Sequence, residues 1–111
     1  MDISGKAVML RIYIGEDDRY EGKSLYNAIV LKLRKAGIAG ATVLRGIEGF
    51  GASSRIHTAN ILRLSQDLPI VIEAVDKPER IKAILAELSD MVQDGLITTE
   101  DINIVKYQTT K

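Results

Sequence analysis

The amino-acid sequence predicts an α+β domain in which strands and helices follow the order β-α-β-β-α-β. Four segments alternate or run continuously apolar in the manner of strands, and two repeat their apolar residues with the 3.6-residue period of helices. This order is typical of the ferredoxin-like split β-α-β sandwich, a four-stranded antiparallel sheet with both helices on one face. Residues 1–111 are expected to form this one domain.

The first half of the chain predicts a strand, a helix and a second strand. Residues 6–14 (KAVMLRIYI) alternate between two faces and are rich in β-branched residues. Residues 22–36 place their apolar side chains on one helical face, and Gly37 supplies the left-handed position that ends a helix. Residues 41–47 (ATVLRGI) predict the second strand, and residues 48–60 predict a loop without regular structure.

The second half repeats the pattern. Residues 68–75 (LPIVIEAV) predict the third strand. Asp76 is the expected N-cap of the second helix, with Glu79 at the spacing of a capping box. The amphipathic helix is expected to stop at Gly95, and residues 102–107 (INIVKY) predict the last strand.

The composition excludes several classes of protein. Hydrophobic residues make up 46% and charged residues 27% of the chain, as in globular rather than disordered proteins. Fifteen Lys and Arg residues balance fifteen Asp and Glu residues, so no net charge attracts nucleic acid or an anionic membrane. The chain contains no Cys, which excludes disulfides, thiolate catalysis and sulfur-ligated metals.

Two features favour a cytoplasmic location. Residues 1–6 (MDISGK) lack the charged start and apolar run of a signal peptide. No apolar run approaches the ~20 residues of a membrane span, so membrane insertion is not expected.

The second face of the predicted sheet is also apolar. Met9, Tyr13, Val71 and Val75 point away from the face that the two helices are expected to cover. An uncovered apolar face usually binds a partner, most simply another copy of the same chain.

The most unusual segment is the stretch 37–51 (GIAGATVLRGIEGFG), which holds five glycines. The last three lie where the second strand becomes the loop. Exposed amides there can cradle a phosphate, helped by Arg45 and Arg55. A tight, twisted turn that needs glycine for its backbone is an equally open alternative. The spacing matches neither the dinucleotide fingerprint nor a P-loop.

Phe50 and His57 are each the only residue of their kind, and both lie in this loop. Phe50 stacks on a base, fills a site on a neighbouring subunit, or anchors the loop to the core. His57 is expected to be a polar loop residue rather than a metal ligand, because no second ligand is clustered with it. No residue context activates a nucleophile, so no catalytic centre is expected.

Two groups of charged residues have structural explanations. Residues 16–18 (EDD) precede a helix, where a solvated acidic cluster is expected instead of a cation site. Arg11 and Glu73 lie on partly buried strands and either pair with each other or line a cleft between subunits. Pairing is the favoured interpretation.

Two motifs resemble those of the PII signal proteins. Residues 40–43 (GATV) and 49–51 (GFG) are similar to the pattern that leads from the second PII strand into the signalling loop. Nearly the whole chain more closely resembles a PII-like family catalogued as a domain of unknown function. The best-matching stretches are residues 11–16, 40–46, 49–51 and 64–69.

The resemblance implies a homotrimer with adenine nucleotides in clefts between subunits. It also implies that loop 46–60 reports occupancy to a protein partner, and that no cofactor is required beyond bound ADP or ATP. Residues 95–101 (GLITTED) correspond to the PII loop that closes on ATP, yet they hold one glycine, two acids and no lysine. Arg45 or Arg55 is therefore expected to supply the missing positive charge. The resulting nucleotide-binding candidates are Thr42, Arg45, Gly46, Gly49, Phe50, Gly51 and Arg55.

The sequence therefore favours a PII-like regulatory module that binds an adenine nucleotide and is not an enzyme. The alternative is a structural or interaction subunit whose loop docks on a partner such as a membrane transporter, without binding a small molecule. An enzyme that uses His57 in a cleft between subunits is least favoured, because the sequence supplies no nucleophile, metal cluster or oriented base.

Overall fold

A computed structural model describes residues 3–51, 57–58 and 67–110 of the chain. In these residues a four-stranded antiparallel sheet packs against two helices, which confirms the predicted fold class. The elements are β1 (Gly5–Gly15), α1 (Leu25–Lys35), β2 (Ala41–Arg45), β3 (Pro69–Asp76), α2 (Pro78–Met91) and β4 (Leu96–Ile104). The strand order is β2-β3-β1-β4, which places β2 and β4 at the two edges.

One aliphatic core joins the helices to the sheet. Even-numbered residues of β1 and β3 face the helices, and the register sets Ile12 directly opposite Ile72, both without solvent exposure. The helices contribute Ile29, Leu33 and Leu88, which are equally buried. Complete burial of one such side chain contributes about 1.5–3 kcal/mol, so the core accounts for the face that the helices occupy.

The end of α1 follows the predicted glycine stop. Gly37 has φ +83°. Its amide donates to the Arg34 carbonyl at 3.1 Å, and the Ile38 amide donates to the Leu33 carbonyl at 3.1 Å. These two bonds form a Schellman motif, which satisfies carbonyls that the helix end would otherwise leave unpaired.

The start of α1 lies three residues later than the sequence predicts. Arg19–Tyr20 pairs with Lys23–Ser24 in a short hairpin, and its two turn residues, Glu21 and Gly22, both have positive φ. This backbone conformation is that of a tight hairpin turn and is incompatible with a helix. The helix therefore begins at Leu25.

Asp76 is not the N-cap of α2, so the predicted capping box with Glu79 is wrong. Lys77 is the N-cap, and Asp76 is the fully buried last residue of β3. Its carboxylate accepts hydrogen bonds from the amides of Ala39 at 2.9 Å and Lys77 at 2.6 Å. A buried carboxylate requires such donors, and here they tie the start of β2 to the end of β3.

The last strand lies earlier in the chain than predicted. β4 runs from Leu96 to Ile104, so most of the stretch 95–101, expected to be a loop, belongs to the sheet. The sequence of β4 lacks a regular alternation of apolar residues because β4 is an edge strand, and its outward positions face solvent.

The second predicted strand also ends early, at Arg45. The predicted loop 48–60 contains a two-residue pairing of Glu48–Gly49 with His57–Thr58.

The face of the sheet opposite the helices is called the open face. One row of neighbouring residues across it is Leu44, Val71, Tyr13 and Leu96, and the next row is Thr42, Glu73, Arg11 and Thr98. The open face is thus apolar at its ends, as predicted, but polar at its centre. Its exposed apolar side chains include Tyr13 at 38%, Leu44 at 48% and Leu96 at 54% exposure.

The residues after β4 run beside the end of the open face that lies away from Tyr13 and Val71. The Ile3 amide donates to the Tyr107 carbonyl at 3.2 Å, and both Ile3 and Ala7 are buried.

In the part of the chain that the structure describes, neither helix has the length and apolar character required to cross a membrane.

Candidate functional site

The glycines that follow β2 allow this segment to approach β3 closely. A Cβ atom on Gly46 would lie 2.8 Å from Pro69 Cγ, and one on Gly49 would lie 3.1 Å from the same atom. The Gly46 amide also donates to the Pro69 carbonyl at 2.7 Å. Close backbone approach therefore explains both glycines, and the Gly46 amide already has a partner within the sheet.

A cleft of about 360 Å³ opens beside this contact and is called the loop-base cleft. Tyr13, Val71 and Pro69 form its wall on the open face. Four of the predicted site residues line it together: Gly46, Gly49, Phe50 and Gly51. Gly95 lines it from the start of β4, where a Cβ atom would lie 2.6 Å from the Tyr13 carbonyl oxygen.

Phe50 does not anchor the loop to the core, so that interpretation is wrong. Its side chain is 75% exposed at the edge of the loop-base cleft. The neighbouring Ile47 is 77% exposed. An exposed aromatic ring beside a cleft is suited to stacking on a planar ligand or to contact with another chain.

The described lining of the loop-base cleft carries negative charge. Asp18, Asp67, Asp94 and Glu48 line it, and no Lys or Arg belongs to this described lining. The Asp18 carboxylate accepts a hydrogen bond from the Gly15 amide at 2.9 Å. A phosphate group placed here requires a cation from outside this lining, because like charges repel at short range.

Arg45 lies next to the loop-base cleft but points elsewhere. Strand alternation places it on the opposite side of the sheet from Gly46. There its guanidinium donates to the Glu16 carboxylate at 2.5 Å, with the two side chains 57% and 21% exposed. Arg55 lies outside the described residues, as does the His57 side chain.

Thr42 lies in a second cleft, of about 350 Å³, at the other end of the open face. This Thr42 cleft is also lined by Met9, Glu73, Val75 and Tyr107. The Tyr107 hydroxyl donates to the Ala39 carbonyl at 3.1 Å, which holds the residues after β4 against the start of β2. The structure therefore separates Thr42 from residues 49–51 within one chain. Sequence reasoning missed Tyr107 because no motif marks it.

A charged cluster lies between the two clefts. Arg11 Nε donates to Glu73 at 3.0 Å and Arg11 Nη1 donates to Glu100 at 2.9 Å. The hydrogen bond to Glu100, and to a smaller extent the one to Glu73, raises the pKa of Arg11 above its ordinary value, so the guanidinium stays cationic. The predicted pairing of Arg11 with Glu73 is confirmed. Glu100 was missed because its stretch was predicted to be a loop.

The acidic residues 16–18 have separate contacts rather than a common centre. Glu16 pairs with Arg45, while the Asp17 amide donates to Asp67 Oδ1 at 2.9 Å. Within the described residues, no three His, Cys, Asp or Glu side chains are arranged to hold a metal ion.

The fold is an α+β sandwich of ferredoxin-like order with one sheet face left uncovered by the helices. Residues 7–104 match the model of DUF190, a family of uncharacterized ACR proteins, and the chain belongs to that family. It is 40% identical over 105 residues to the UPF0166 protein MJ1524 of Methanocaldococcus jannaschii, covering 94% of this chain and 96% of the relative. A UPF0166 protein of Aquifex aeolicus is 37% identical over 100 residues, covering 90% and 94%.

Solved structures show the same fold. CPII from Thiomonas intermedia K12, a nitrogen regulatory PII-like protein bound to ADP, AMP and bicarbonate, superposes with a TM-score of 0.67 and 18% identity. The alignment covers 89% of this chain and 88% of CPII. A putative PII-like signaling protein of Thermus thermophilus gives a TM-score of 0.66 at 17% identity, covering 91% of each chain. The resemblance to an uncharacterised PII-like family is therefore confirmed.

Proposed function

We propose that this chain is a PII-like regulatory module that binds an adenine nucleotide between copies of itself and has no catalytic centre. Loop 46–60 reports the bound state to a protein partner. The observation that carries the proposal is the division of the candidate residues between two clefts on one uncovered sheet face. Each cleft then supplies half of a complete site.

The division of the candidate residues favours a closed ring of copies. Thr42 and residues 49–51 line different clefts of one chain, so a ligand that contacts both sets requires two chains. A head-to-tail contact repeated around a threefold axis brings the Thr42 cleft of one copy to the loop-base cleft of the next. The exposed Tyr13, Leu44 and Leu96 supply apolar area for such a contact.

The chemistry of the clefts is consistent with a nucleotide. Tyr13 and Phe50 offer aromatic surface for a base, and the glycines allow close approach of the backbone. Arg45 and Arg55 are the cations proposed to meet the phosphates, with Arg45 leaving Glu16 to do so. The bound ADP and AMP of CPII, a protein of the same fold, support the choice of an adenine nucleotide.

Calorimetric titration with ATP, ADP and AMP tests the proposal. We expect saturable binding of at least one nucleotide, weakened about tenfold or more by Arg45→Ala or Arg55→Ala, because each removes a charged hydrogen-bond donor. Lys82→Ala, an exposed position on α2, is the matched control and should leave binding unchanged. Light scattering should give three times the 12.2 kDa chain mass. A flat titration with all three nucleotides would contradict the proposal.

The exposure of Ile47 and Phe50 favours a second candidate, an interaction subunit that docks on a partner protein such as a membrane transporter. This candidate predicts no heat from any nucleotide and a partner captured by the intact chain. Deletion of residues 50–57 should abolish capture, whereas Lys82→Ala should not. Nucleotide binding by the purified chain would contradict this candidate, which is a subunit that binds no small molecule.

A further inference from the structure

The turn formed by residues 15–18, called the β1 turn, contacts the chain on both sides of segment 46–66. On one side, Glu16 pairs with Arg45 at the end of β2. On the other, the Glu16 amide donates to the Leu68 carbonyl at 2.8 Å, and the Asp17 amide donates to Asp67 Oδ1 at 2.9 Å. This one turn therefore fixes both ends of the segment relative to β1.

A side chain at position 15 would displace the Asp67 carboxylate from its present position. A Cβ atom there would lie 2.6 Å from Asp67 Oδ1, 3.0 Å from Oδ2 and 3.1 Å from Cγ. Real Cβ atoms almost never approach another heavy atom within 3.0 Å. Asp67 can therefore bond to the Asp17 amide in this geometry only because residue 15 is glycine. Both Gly15 and Asp67 line the loop-base cleft.

The β1 turn is itself held at both ends. The Asp18 carboxylate accepts from the Gly15 amide at 2.9 Å, and the Asp18 amide donates to the Gly15 carbonyl at 3.2 Å. The Asp18 carbonyl accepts from the Leu25 amide, the first residue of α1, at 2.8 Å. Asp67 thus binds to a support that is continuous with β1 and α1.

We propose that Asp67 is the positioning residue of the loop-base cleft. Bound to the Asp17 amide in the space that Gly15 leaves, it fixes the start of β3 together with the bond from the Glu16 amide to the Leu68 carbonyl. Pro69 lies two residues further on and is the surface against which Gly46 and Gly49 pack. The effect on nucleotide affinity rests on the function proposed above, but the positioning of the cleft wall does not.

The positioning can be tested without a ligand by the fluorescence of one introduced Trp, because the chain has no Trp of its own. Phe50→Trp places the only Trp of the variant at an exposed position in the cleft, and excitation selective for Trp avoids emission from the four Tyr residues. In this background we expect Asp67→Ala and Gly15→Ala to shift acrylamide quenching of the Trp by the same amount, because each variant releases the Asp17 amide from the Asp67 carboxylate. Asp67→Asn keeps an oxygen that accepts from the Asp17 amide, so it should behave like the parent.

A double substitution shows whether Gly15 and Asp67 act as one unit. Once Asp67→Ala has removed the carboxylate, Gly15→Ala has nothing to displace and should add no further change in quenching. Asp94→Ala removes another carboxylate from the same cleft and is the matched control. Thermal unfolding of each variant sets a working temperature well below its midpoint, so that quenching reports the folded state.

Two results would overturn the positioning role. One is an additive effect of Gly15→Ala and Asp67→Ala; the other is an Asp67→Asn variant as altered as Asp67→Ala. Gly15→Ala keeps the question decidable should Asp67→Ala fail to fold, because it moves the carboxylate without removing it.

Nucleotide affinity gives an independent reading in the chain with Phe50 intact. Asp67→Ala should bind nucleotide about five- to tenfold more weakly than Asp67→Asn, because both remove the same negative charge from the cleft and only Asn keeps an acceptor for the Asp17 amide. Gly15→Ala keeps the charge and should weaken binding about five- to tenfold relative to the parent chain. Where the parent chain binds nucleotide, equal affinities of Asp67→Ala and Asp67→Asn would overturn the inference. A parent chain that binds no nucleotide contradicts only the proposed function, and the quenching series then decides the positioning role.

Discussion

The two faces of the sheet come from the same alternating strands but have different chemistry. On the helix face, β1 and β3 present aliphatic residues such as Ile12 and Ile72, both fully buried. On the open face the same strands present Tyr13 and Val71 at one end, with Arg11 and Glu73 at the centre. Burial within one chain explains the first face completely. The second is left uncovered by the helices, and it is the face on which both clefts lie.

The largest expected difference between the faces concerns adjacent residues of β3. Ile72→Ala should lower the free energy of unfolding by about 2–5 kcal/mol, because it leaves a cavity in the aliphatic core. Val71→Ala, on the half-buried open face, should cost about 1 kcal/mol at low protein concentration. Urea unfolding measures both.

The concentration dependence of these costs sharpens the comparison. If copies assemble through the open face, the cost of Val71→Ala grows with protein concentration while that of Ile72→Ala does not. A cost of Val71→Ala that stays the same at every protein concentration would contradict assembly through the open face.

An intermediate effect is expected for two carboxylates of β3. Asp76 has no solvent exposure and bonds to two backbone amides, so Asp76→Ala should cost about 1–3 kcal/mol by leaving these donors unsatisfied. Glu73, on the open face, is 31% exposed and pairs with Arg11, so Glu73→Ala should cost about 1 kcal/mol or less. Chemical denaturation compares the two variants, and a larger loss for Glu73→Ala would reverse the assignment of the faces.

The sequence predicts most closely those parts of the fold whose pattern is enforced by burial. The alternation of β1 and β3 and the stripes of both helices follow from one shared core. β4 was placed too late because an edge strand tolerates polar residues at positions 98–101. The local spacing of Asp76 predicts a helix cap. One of its two hydrogen-bond partners, the Ala39 amide, is distant in sequence.

The sequence predicts several residues of the candidate site but not how these residues are arranged. The pattern of residues 49–51 identifies part of the loop-base cleft. The separation of Thr42 depends on the pairing register of β2 with β3, and the lining by Tyr107 depends on a contact with Ala39. The sequence shows neither. The close contact of Gly15 with Asp67 is likewise tertiary, since fifty-one residues lie between them in the chain.

The smallest expected effect concerns Arg45, which alternation directs away from the cleft that its neighbour Gly46 lines. Glu16→Gln removes the negative charge that holds the guanidinium. If Arg45 then meets the phosphates, ATP affinity should rise about two- to fivefold, the range that a surface ion pair supplies. Glu87→Gln is the matched control, because Glu87 forms an ion pair with Lys32 between the helices.

The direction of this change separates two roles for Glu16. A rise in affinity for Glu16→Gln that disappears in the Glu16→Gln, Arg45→Ala double variant assigns the gain to the released guanidinium. A fall in affinity with unchanged stability would instead mean that the ion pair holds the end of β2 in its binding geometry. Arg45 would then act from the helix side of the sheet, and the phosphate charge would have to be met by another cation.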